Sequence, residues 1–321
     1  MVAAPGGRSR RHGWLVVLCC LVAILAGIAT MVALVATWSK DARSAPITAP
    51  ATSPTAETTT STAPSPSATA TKRPSKGLSK TARSRLTSTL AGYLDDGSGR
   101  LAISVRDLST GVTFGYETKL TFATASIVKA DVLTALLLQA QRAGRTLTVS
   151  EKSLATRMIE YSDNAAATAL WNKIGGAAGL TSANHKLGLR RTVAGSGGYW
   201  GLTLTNTADQ VRLLSALTSK TSPLKARNRT YALGLMQSVS SSQDWGVSAG
   251  VDDDDSVALK NGWLSRATDG NTWVVNSIGR VHGSRHNYLI AILSDHNTTM
   301  SAGVTKVEHV SKLIATALAK V

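Results

Sequence analysis

Cysteine is almost absent from this chain: of its 321 residues only Cys19 and Cys20 carry thiols. The sequence after position 20 can therefore form neither a disulfide framework nor a cysteine-based metal site. The five histidines after His12 follow no H-x-x-x-H or H-E-x-x-H spacing. The acidic run at 252–255 lacks the alternating ligands and the glycine of a calcium loop, so a solvated turn is the better interpretation. We expect no metal and no cofactor.

Charged side chains are missing from Trp14 to Trp38, and three arginines precede this stretch. Its 25 residues are enough for a helix to cross a bilayer core of about 30 Å, and exceed the roughly 7–15 apolar residues of a cleaved signal. The sequence predicts a cytoplasmic basic segment at 1–13 and a signal anchor at 14–38, with the rest outside the cell membrane. A cleaved signal, which would make the protein secreted, is the alternative.

Large apolar side chains are scarce at 39–77, which consists mainly of Ser, Thr, Pro and Ala. This composition predicts a disordered stalk, because little apolar surface is available to offset the entropy of ordering. Residues 78–321 have the length of one globular domain. The chain is basic, with a net charge of +16, but has no block of Lys and Arg interleaved with aromatic residues. We therefore expect anionic cell-wall polymers, and no nucleic acid, as partners.

Hydrophobic periodicity predicts an α+β domain. Two alternating strands come first, several helices follow, and three strands and a helix end the chain. This order predicts an antiparallel sheet built from both ends of the domain, together with an all-helical subdomain. The expected helices are 78–93, one beginning at Ser126, 149–161, 165–173, 177–187, one beginning near Asn206, and 300–319; the expected strands lie within 101–117, 256–263, 272–281 and 287–295.

The pattern S-x-x-K occurs twice, at Ser126–Lys129 and at Ser222–Lys225. The second copy contains a proline and no strong apolar helix follows it, whereas Ser126 opens a buried helix. Free amides and the helix dipole at such an N-terminus favour negative charge on an attacking oxygen. A spacing of three places Lys129 about 5–6 Å from Ser126 between Cβ atoms. We predict Ser126 as a nucleophile and Lys129 as its proton acceptor.

Ser162-Asp163-Asn164 follows the predicted helix 149–161. Alone, this triplet is most often a helix cap, but capping and catalysis are compatible here. The Ser162 hydroxyl could relay a proton to a leaving nitrogen, so we predict a catalytic role for it. The Asn164 amide could hold a substrate carbonyl.

Lys260 lies on an apolar strand, where lysine is uncommon, and Asn261, Gly262 and Trp263 follow it. Lys260 would act in catalysis and supply a cation for a substrate carboxylate. Gly262 would let a substrate backbone approach closely. The amides of Trp263 and Ser126 could form an oxyanion hole.

Arg266, just beyond this strand, is a second candidate for the carboxylate. A solvated loop residue is the alternative interpretation.

Read in order, the three motifs resemble the S-x-x-K, S-D-N and K-T-G elements of class A β-lactamases and related penicillin-recognising serine hydrolases. The segment YSDNAAATAL and the last strand pair are similar as well. The resemblance implies the family's two-subdomain fold, like that of class A β-lactamases and D-alanyl peptidases. It implies acylation of Ser126 by β-lactams, with Ser162 and Asn164 on one wall and Lys260 on the other.

The chain departs from this family at three points. The interval between Ser126 and Ser162 is short, and Asn261, which we count among the substrate-binding residues, replaces a threonine. Class A enzymes hydrolyse the acyl-enzyme with water held by a glutamate after S-D-N, yet residues 165–208 contain no Asp or Glu. We therefore expect acylation with slow deacylation. A D-alanyl-D-alanine carboxypeptidase or transpeptidase acting on peptidoglycan stem peptides is a second hypothesis, and a non-turnover penicillin- or wall-binding module is a third.

Overall fold

A computed structural model describes residues 78–95, 99–252, 254–284 and 286–320. The predicted cytoplasmic segment, signal anchor and stalk at 1–77 lie outside these residues. Among the helices of the described ranges, none combines the length and the apolar character that a membrane crossing requires.

The described ranges contain eight helices and seven strands. Each predicted helix and strand has a counterpart among them. In chain order they are α1 (Lys80–Leu94), β1 (Arg100–Asp107), β2 (Thr113–Tyr116), β3 (Phe122–Ala123), α2 (Val128–Arg142), α3 (Val149–Glu160), α4 (Asn164–Lys173), α5 (Gly176–Leu187), β4 (Leu204–Thr205), α6 (Thr207–Thr218), α7 (Ala226–Gln237), β5 (Ser256–Arg266), β6 (Thr272–His282), β7 (Asn287–Asn297) and α8 (Met300–Leu318).

Five of the strands form one antiparallel sheet in the order β2-β1-β7-β6-β5. The first two strands of the domain therefore pair with the last three. This confirms the predicted α+β fold with a sheet built from both ends of the domain. β7 lies in the middle and is buried along nearly its whole length, which explains its almost continuous apolar sequence.

The sheet separates two hydrophobic clusters, because successive side chains of a strand point to opposite faces. On one face, Ile290 and Ile292 of β7 pack with residues of α1 and α8. On the other face, Leu289 and Leu293 join the large cluster of the central helices, α2 to α7. The all-helical subdomain predicted from sequence is this second layer, and α2 is buried along most of its length.

Helix α7 was not predicted from the sequence. Three of its side chains, Ala232, Leu235 and Met236, are buried, so its apolar pattern is weak. The start of α2 also differs from the prediction, because Ser126 lies in a 3₁₀ turn, Ala125–Ile127, just before the α-helix.

Candidate active site

The backbone at Thr203 and a side chain of strand β6 hold the turn that carries Ser126. The Thr124 amide donates to the Thr203 carbonyl at 2.8 Å. The buried Asn276 side chain of β6 donates to the carbonyls of Ala123 and Thr124 at 2.8 and 3.0 Å. Ala125, immediately before Ser126, has φ +47°, a left-handed conformation that costs a non-glycine residue roughly 1–3 kcal/mol. These contacts fix the backbone position of the proposed nucleophile.

Gly262 of β5 passes very close to this turn. A Cβ at this position would lie 2.6 Å from the Ser126 nitrogen and 2.8 Å from the Thr124 oxygen, which are backbone atoms that cannot rotate away. The sequence analysis expected this glycine to admit a substrate backbone. The structure shows that it admits the backbone of Ser126 itself.

Lys129 is fully buried and its ammonium group reaches the S-D-N segment. Its Nζ donates to the Ser162 carbonyl at 2.6 Å, to Ser162 Oγ at 3.0 Å and to Asn164 Oδ1 at 2.8 Å. Ser162 has φ +56°, so the backbone here is also held in the left-handed region. Burial lowers the pKa of Lys129 to about 8, and the charge of Asp163 partly opposes this shift.

Lys260 joins the same network from the sheet. Its Nζ donates to Ser162 Oγ at 3.1 Å and to the Asn261 carbonyl at 3.0 Å, and its side chain is fully buried. Ser162 Oγ therefore accepts hydrogen bonds from two lysines. Burial, followed by the nearby charge of Lys129, lowers the pKa of Lys260 to about 7. Both shifts disfavour the double charge of the pair, which makes the neutral form of a lysine, the form that can accept a proton, easier to reach.

Ser126 is half-buried and lines a cavity of about 400 Å³. We call this space the Ser126 cavity; its lining residues are Ala125, Ser126, Asn164, 198–202, Trp263 and Leu264. The structure thus brings together Ser126, Asn164 and Trp263 at the cavity, with Lys129, Ser162 and Lys260 in the hydrogen-bond network that includes Asn164. Within the described residues Ser126 Oγ itself has no hydrogen-bond partner.

A sequence profile described as the β-lactamase enzyme family matches residues 137–318, more than half of the chain. The chain belongs to this β-lactamase family. The matched range includes the S-D-N triplet and Lys260 and begins after Ser126 and Lys129.

Two relatives of this β-lactamase-family protein are informative. The putative lipoprotein LppW of Mycobacterium tuberculosis is 29% identical over 200 residues, which cover 60% of this chain and 62% of LppW. The match therefore spans less than two thirds of that relative. The carbapenem-hydrolyzing β-lactamase KPC of Klebsiella oxytoca is 29% identical over 140 residues, covering 36% of this chain and 48% of KPC.

Solved structures establish the class A β-lactamase fold. A class A β-lactamase from Bacteroides cellulosilyticus superposes with a TM-score of 0.66 at 18% identity, covering 75% of this chain and 99% of that one. A β-lactamase from Streptosporangium roseum superposes with a TM-score of 0.63 at 22% identity, covering 74% of this chain and all of that one.

Two predicted substrate contacts of this β-lactamase-family protein lie away from the cavity. Asn261 is fully buried, and its Nδ2 donates to the carbonyls of Gln243 and Trp245 at 2.8 and 2.9 Å. Arg266 is the last residue of β5 and not a loop residue; it pairs with Asp269 at 3.0 Å and is not among the residues that line the cavity. The Asn261 side chain therefore holds a loop beneath the sheet instead of facing the cavity.

One loop within 165–208, the stretch that contains no Asp or Glu, has no charged side chain. We call it the 193–204 loop; mutual backbone hydrogen bonds between Val193 and Leu204, at 2.8 and 2.9 Å, close it. Within it, the Trp200 ring centroid lies 5.0 Å from Lys129 Nζ, and Trp200 Nε1 donates to Thr168 Oγ1 at 3.1 Å. The sequence analysis identified the missing carboxylate but not Trp200 as the residue facing Lys129. In the sequence, the only indication of this contact was the pair of aromatic residues at 199–200.

The sequence analysis interpreted the acidic run at 252–255 as a solvated turn and missed that His286 lies beside it, in a group of three side chains that could hold a metal ion. Ligand atoms of Asp252, Asp255 and His286 lie within 4.8 Å of one another. His286 Nδ1 lies 2.7 Å from Asp255 Oδ2, a distance that an ordinary ion pair or hydrogen bond explains. None of the three lines the Ser126 cavity.

Proposed function

We propose that this protein is a serine hydrolase that β-lactams acylate on Ser126, and that it releases the acyl group slowly. One observation carries the proposal. A nucleophile candidate sits on a clamped turn at a cavity, beside a buried network in which Lys129 and Lys260 share the Ser162 hydroxyl. Membership of the β-lactamase family and the class A fold support it.

The acylation chemistry follows from the protonation of the lysines. Ser126 Oγ attacks the lactam carbonyl carbon, and its proton passes to the neutral form of Lys129. The C–N bond then breaks, and the leaving nitrogen takes the proton of Ser162 Oγ, which one of the two lysines replaces. Asn164 Oδ1 is engaged by Lys129, so its NH₂ group remains to hold a substrate carbonyl. The amides of Ser126 and Trp263 would stabilise the oxyanion.

We attribute the slow release of the acyl group to the side chain that faces Lys129, the indole of Trp200. In the family, a glutamate holds the hydrolytic water, whereas here an indole ring occupies the approach to Lys129. This observation also favours a second candidate, a D-alanyl-D-alanine carboxypeptidase or transpeptidase acting on peptidoglycan stem peptides. A non-turnover penicillin- or wall-binding module is a third candidate.

The proposed location is the outer side of the cell membrane, with 14–38 as a single-pass anchor and 39–77 as a stalk. The relative LppW is described as a putative lipoprotein, which supports an extracytoplasmic, membrane-associated position. A net charge of +16 suits contact with anionic cell-wall polymers.

Intact-mass measurement of the full-length protein after addition of benzylpenicillin tests the function. We expect a covalent adduct that persists for minutes and is absent in Ser126→Ala. Ser222→Ala is the matched control, because it removes the serine of the second S-x-x-K copy, whose Oγ accepts from the Leu224 amide at 3.0 Å. This control should form the adduct at the wild-type rate.

Three other results would change the assignment. Equal labelling of Ser126→Ala and wild type would exclude Ser126 as the nucleophile. Release of D-alanine from a stem pentapeptide would favour the peptidase. Penicillin binding without a covalent mass shift would favour the binding module.

A further inference from the structure

The side chain of Asn261 has no part in the chemistry proposed above. It is fully buried on β5, on the face of the sheet opposite to that of Lys260, because side chains alternate along a strand. Its Nδ2 donates to the carbonyls of Gln243 and Trp245 at 2.8 and 2.9 Å. A single amide group therefore holds two carbonyls of one loop.

This segment, which we call the 243–247 loop, is held at its other end by the neighbouring strand. Ser277 of β6 is the register partner of Asn261, and its Oγ accepts a hydrogen bond from the Val247 amide at 3.0 Å. Between these anchors Gly246 has φ +83°, and a Cβ there would lie 2.5 Å from Ser277 Oγ. The loop is thus seated directly on β5 and β6 at the level of the third motif.

The 243–247 loop contacts β5 again two positions beyond Asn261. The rings of Trp245 and Trp263 lie against each other, with 5.9 Å between their centroids and 58° between their planes, a favourable arrangement for an aromatic pair. Both side chains are half-buried and pack against the hydrophobic cluster that includes residues of α1 and α8. Because Asn261 holds the backbone of Trp245, it fixes the ring against which Trp263 packs.

Trp263 is also the residue whose amide, together with that of Ser126, would stabilise the oxyanion. β5 is an edge strand of the sheet, and the ladder with β6 holds it on one side. The 243–247 loop supports it from a second direction, at the residue that carries the donor. Such support matters because a catalytic donor must be held within about 0.5 Å of its productive position.

We infer that Asn261 is a positioning residue for acylation, and that it acts through the Trp245–Trp263 contact on the oxyanion donor. The inference rests on the acylation of Ser126 proposed above. Loss of the Asn261 amide should slow the chemical step, because the donor would no longer be held in place. Noncovalent binding of the acyl donor should change little, since Asn261 is not among the residues that line the Ser126 cavity.

Asn261→Ala tests this inference on the full-length protein. Intact-mass kinetics over a range of benzylpenicillin concentrations give separately the dissociation constant of the noncovalent complex and the rate constant of acylation. We expect the rate constant to fall about tenfold or more and the dissociation constant to stay within about twofold. A folded Asn261→Ala protein in which both constants equal those of the wild type would overturn the inference, because Asn261 would then only stabilise the fold.

Asn297→Ala is the matched control. Asn297 is also buried, and its Nδ2 also donates to two oxygens, the Trp273 carbonyl at 2.9 Å and Ser294 Oγ at 3.0 Å. It is the last residue of β7 and does not line the Ser126 cavity. This variant should be destabilised to urea as Asn261→Ala is, yet keep both wild-type constants. Equal slowing in the two variants would contradict the inference, because loss of any buried amide would then have the same effect.

Trp245→Leu tests the same route with Asn261 intact, and it decides the question if Asn261→Ala does not fold. It removes the ring contact with Trp263, so the acylation rate constant should fall here as well. Adding Asn261→Ala should slow acylation little further, because the two residues act in series. A wild-type rate constant in Trp245→Leu, or full additivity in the double variant, would contradict the inference. If the wild-type protein forms no adduct, the proposed function itself is wrong, and the inference with it.

Discussion

The mouth of the Ser126 cavity and the hydrogen-bond network that meets the cavity at Asn164, which we call the wall, are built from opposite kinds of side chain. In the wall, Lys129 and Lys260 are fully buried and their ammonium groups donate to defined oxygens. At the mouth, Tyr199 and Leu202, which line the cavity, are exposed and uncharged.

This difference separates two tasks. The wall fixes positions and protonation states, because a buried polar network tolerates little rearrangement. The mouth decides which donors enter, because exposed apolar side chains can be exchanged at small cost in stability. Substitutions in the wall should therefore change the rate of chemistry, and substitutions at the mouth should change the choice of donor.

Gly262→Ala should have the largest effect on stability and on acylation, because it forces apart strand β5 and the turn that carries Ser126. Its Cβ would lie 2.6–2.8 Å from backbone atoms of residues 124–127, so the turn or β5 must move. We expect the free energy of unfolding to fall by about 1–3 kcal/mol. Acylation should slow about a hundredfold, as a shift of about 1 Å in a nucleophile can cause. Denaturant unfolding and intact-mass kinetics measure the two effects.

Gly234→Ala is the matched control. It lies in α7, where an added Cβ meets no atom within 4 Å. This change should stabilise the protein by up to about 1 kcal/mol and leave acylation unaltered. If Gly262→Ala acylates at the wild-type rate, the close approach of β5 does not set the position of Ser126.

Lys260→Met should change how stability depends on pH. Burial lowers the pKa of Lys260 to about 7, against 10.5 for an ordinary lysine. Between these values the unfolded chain binds more protons than the folded one. The free energy of unfolding therefore rises with pH between about 7 and 10.5, by up to about 1.4 kcal/mol per unit for this group, and this contribution becomes constant below about pH 7, where both states are protonated.

Urea unfolding at pH 6, 7, 8 and 9 tests this prediction. The slope should become flatter in Lys260→Met and should remain in a Lys152→Met control, which alters an exposed side chain. A slope equal to that of the wild type in Lys260→Met would mean that Lys260 keeps its proton in the folded protein.

The sequence carried enough information for the fold and for the wall. Apolar runs with strand alternation fixed β5, β6 and β7, and the helical context of Ser126 distinguished it from Ser222. Spacing related Lys129 to Ser126 and Ser162 to Asn164, but it was the resemblance to class A β-lactamases that implied one site for these residues and Lys260.

Other features depend on tertiary contacts that a local pattern does not contain. The Asn261 side chain is turned toward loop carbonyls at positions 243 and 245, which are distant in sequence. Trp200 reaches Lys129 only because the 193–204 loop closes on itself and the indole is held by Thr168. Composition showed that this loop lacks a carboxylate but not which side chain would take its place.

Substitution of Trp200 should have the smallest effect: it should shift the midpoint of the pH dependence of the acylation rate. Trp200→Glu would place a carboxylate near Lys129 Nζ, where the indole centroid now lies 5.0 Å away. An opposite charge at that range stabilises the ammonium form, so the pKa of Lys129 should rise and the midpoint of the rate profile should move up by about 1 pH unit. Trp200→Phe keeps an uncharged ring and loses only the hydrogen bond to Thr168, so its midpoint should stay in place. Acylation rates from pH 6 to 10 measure both midpoints, and equal midpoints for the two variants would show that Lys129 does not accept the Ser126 proton.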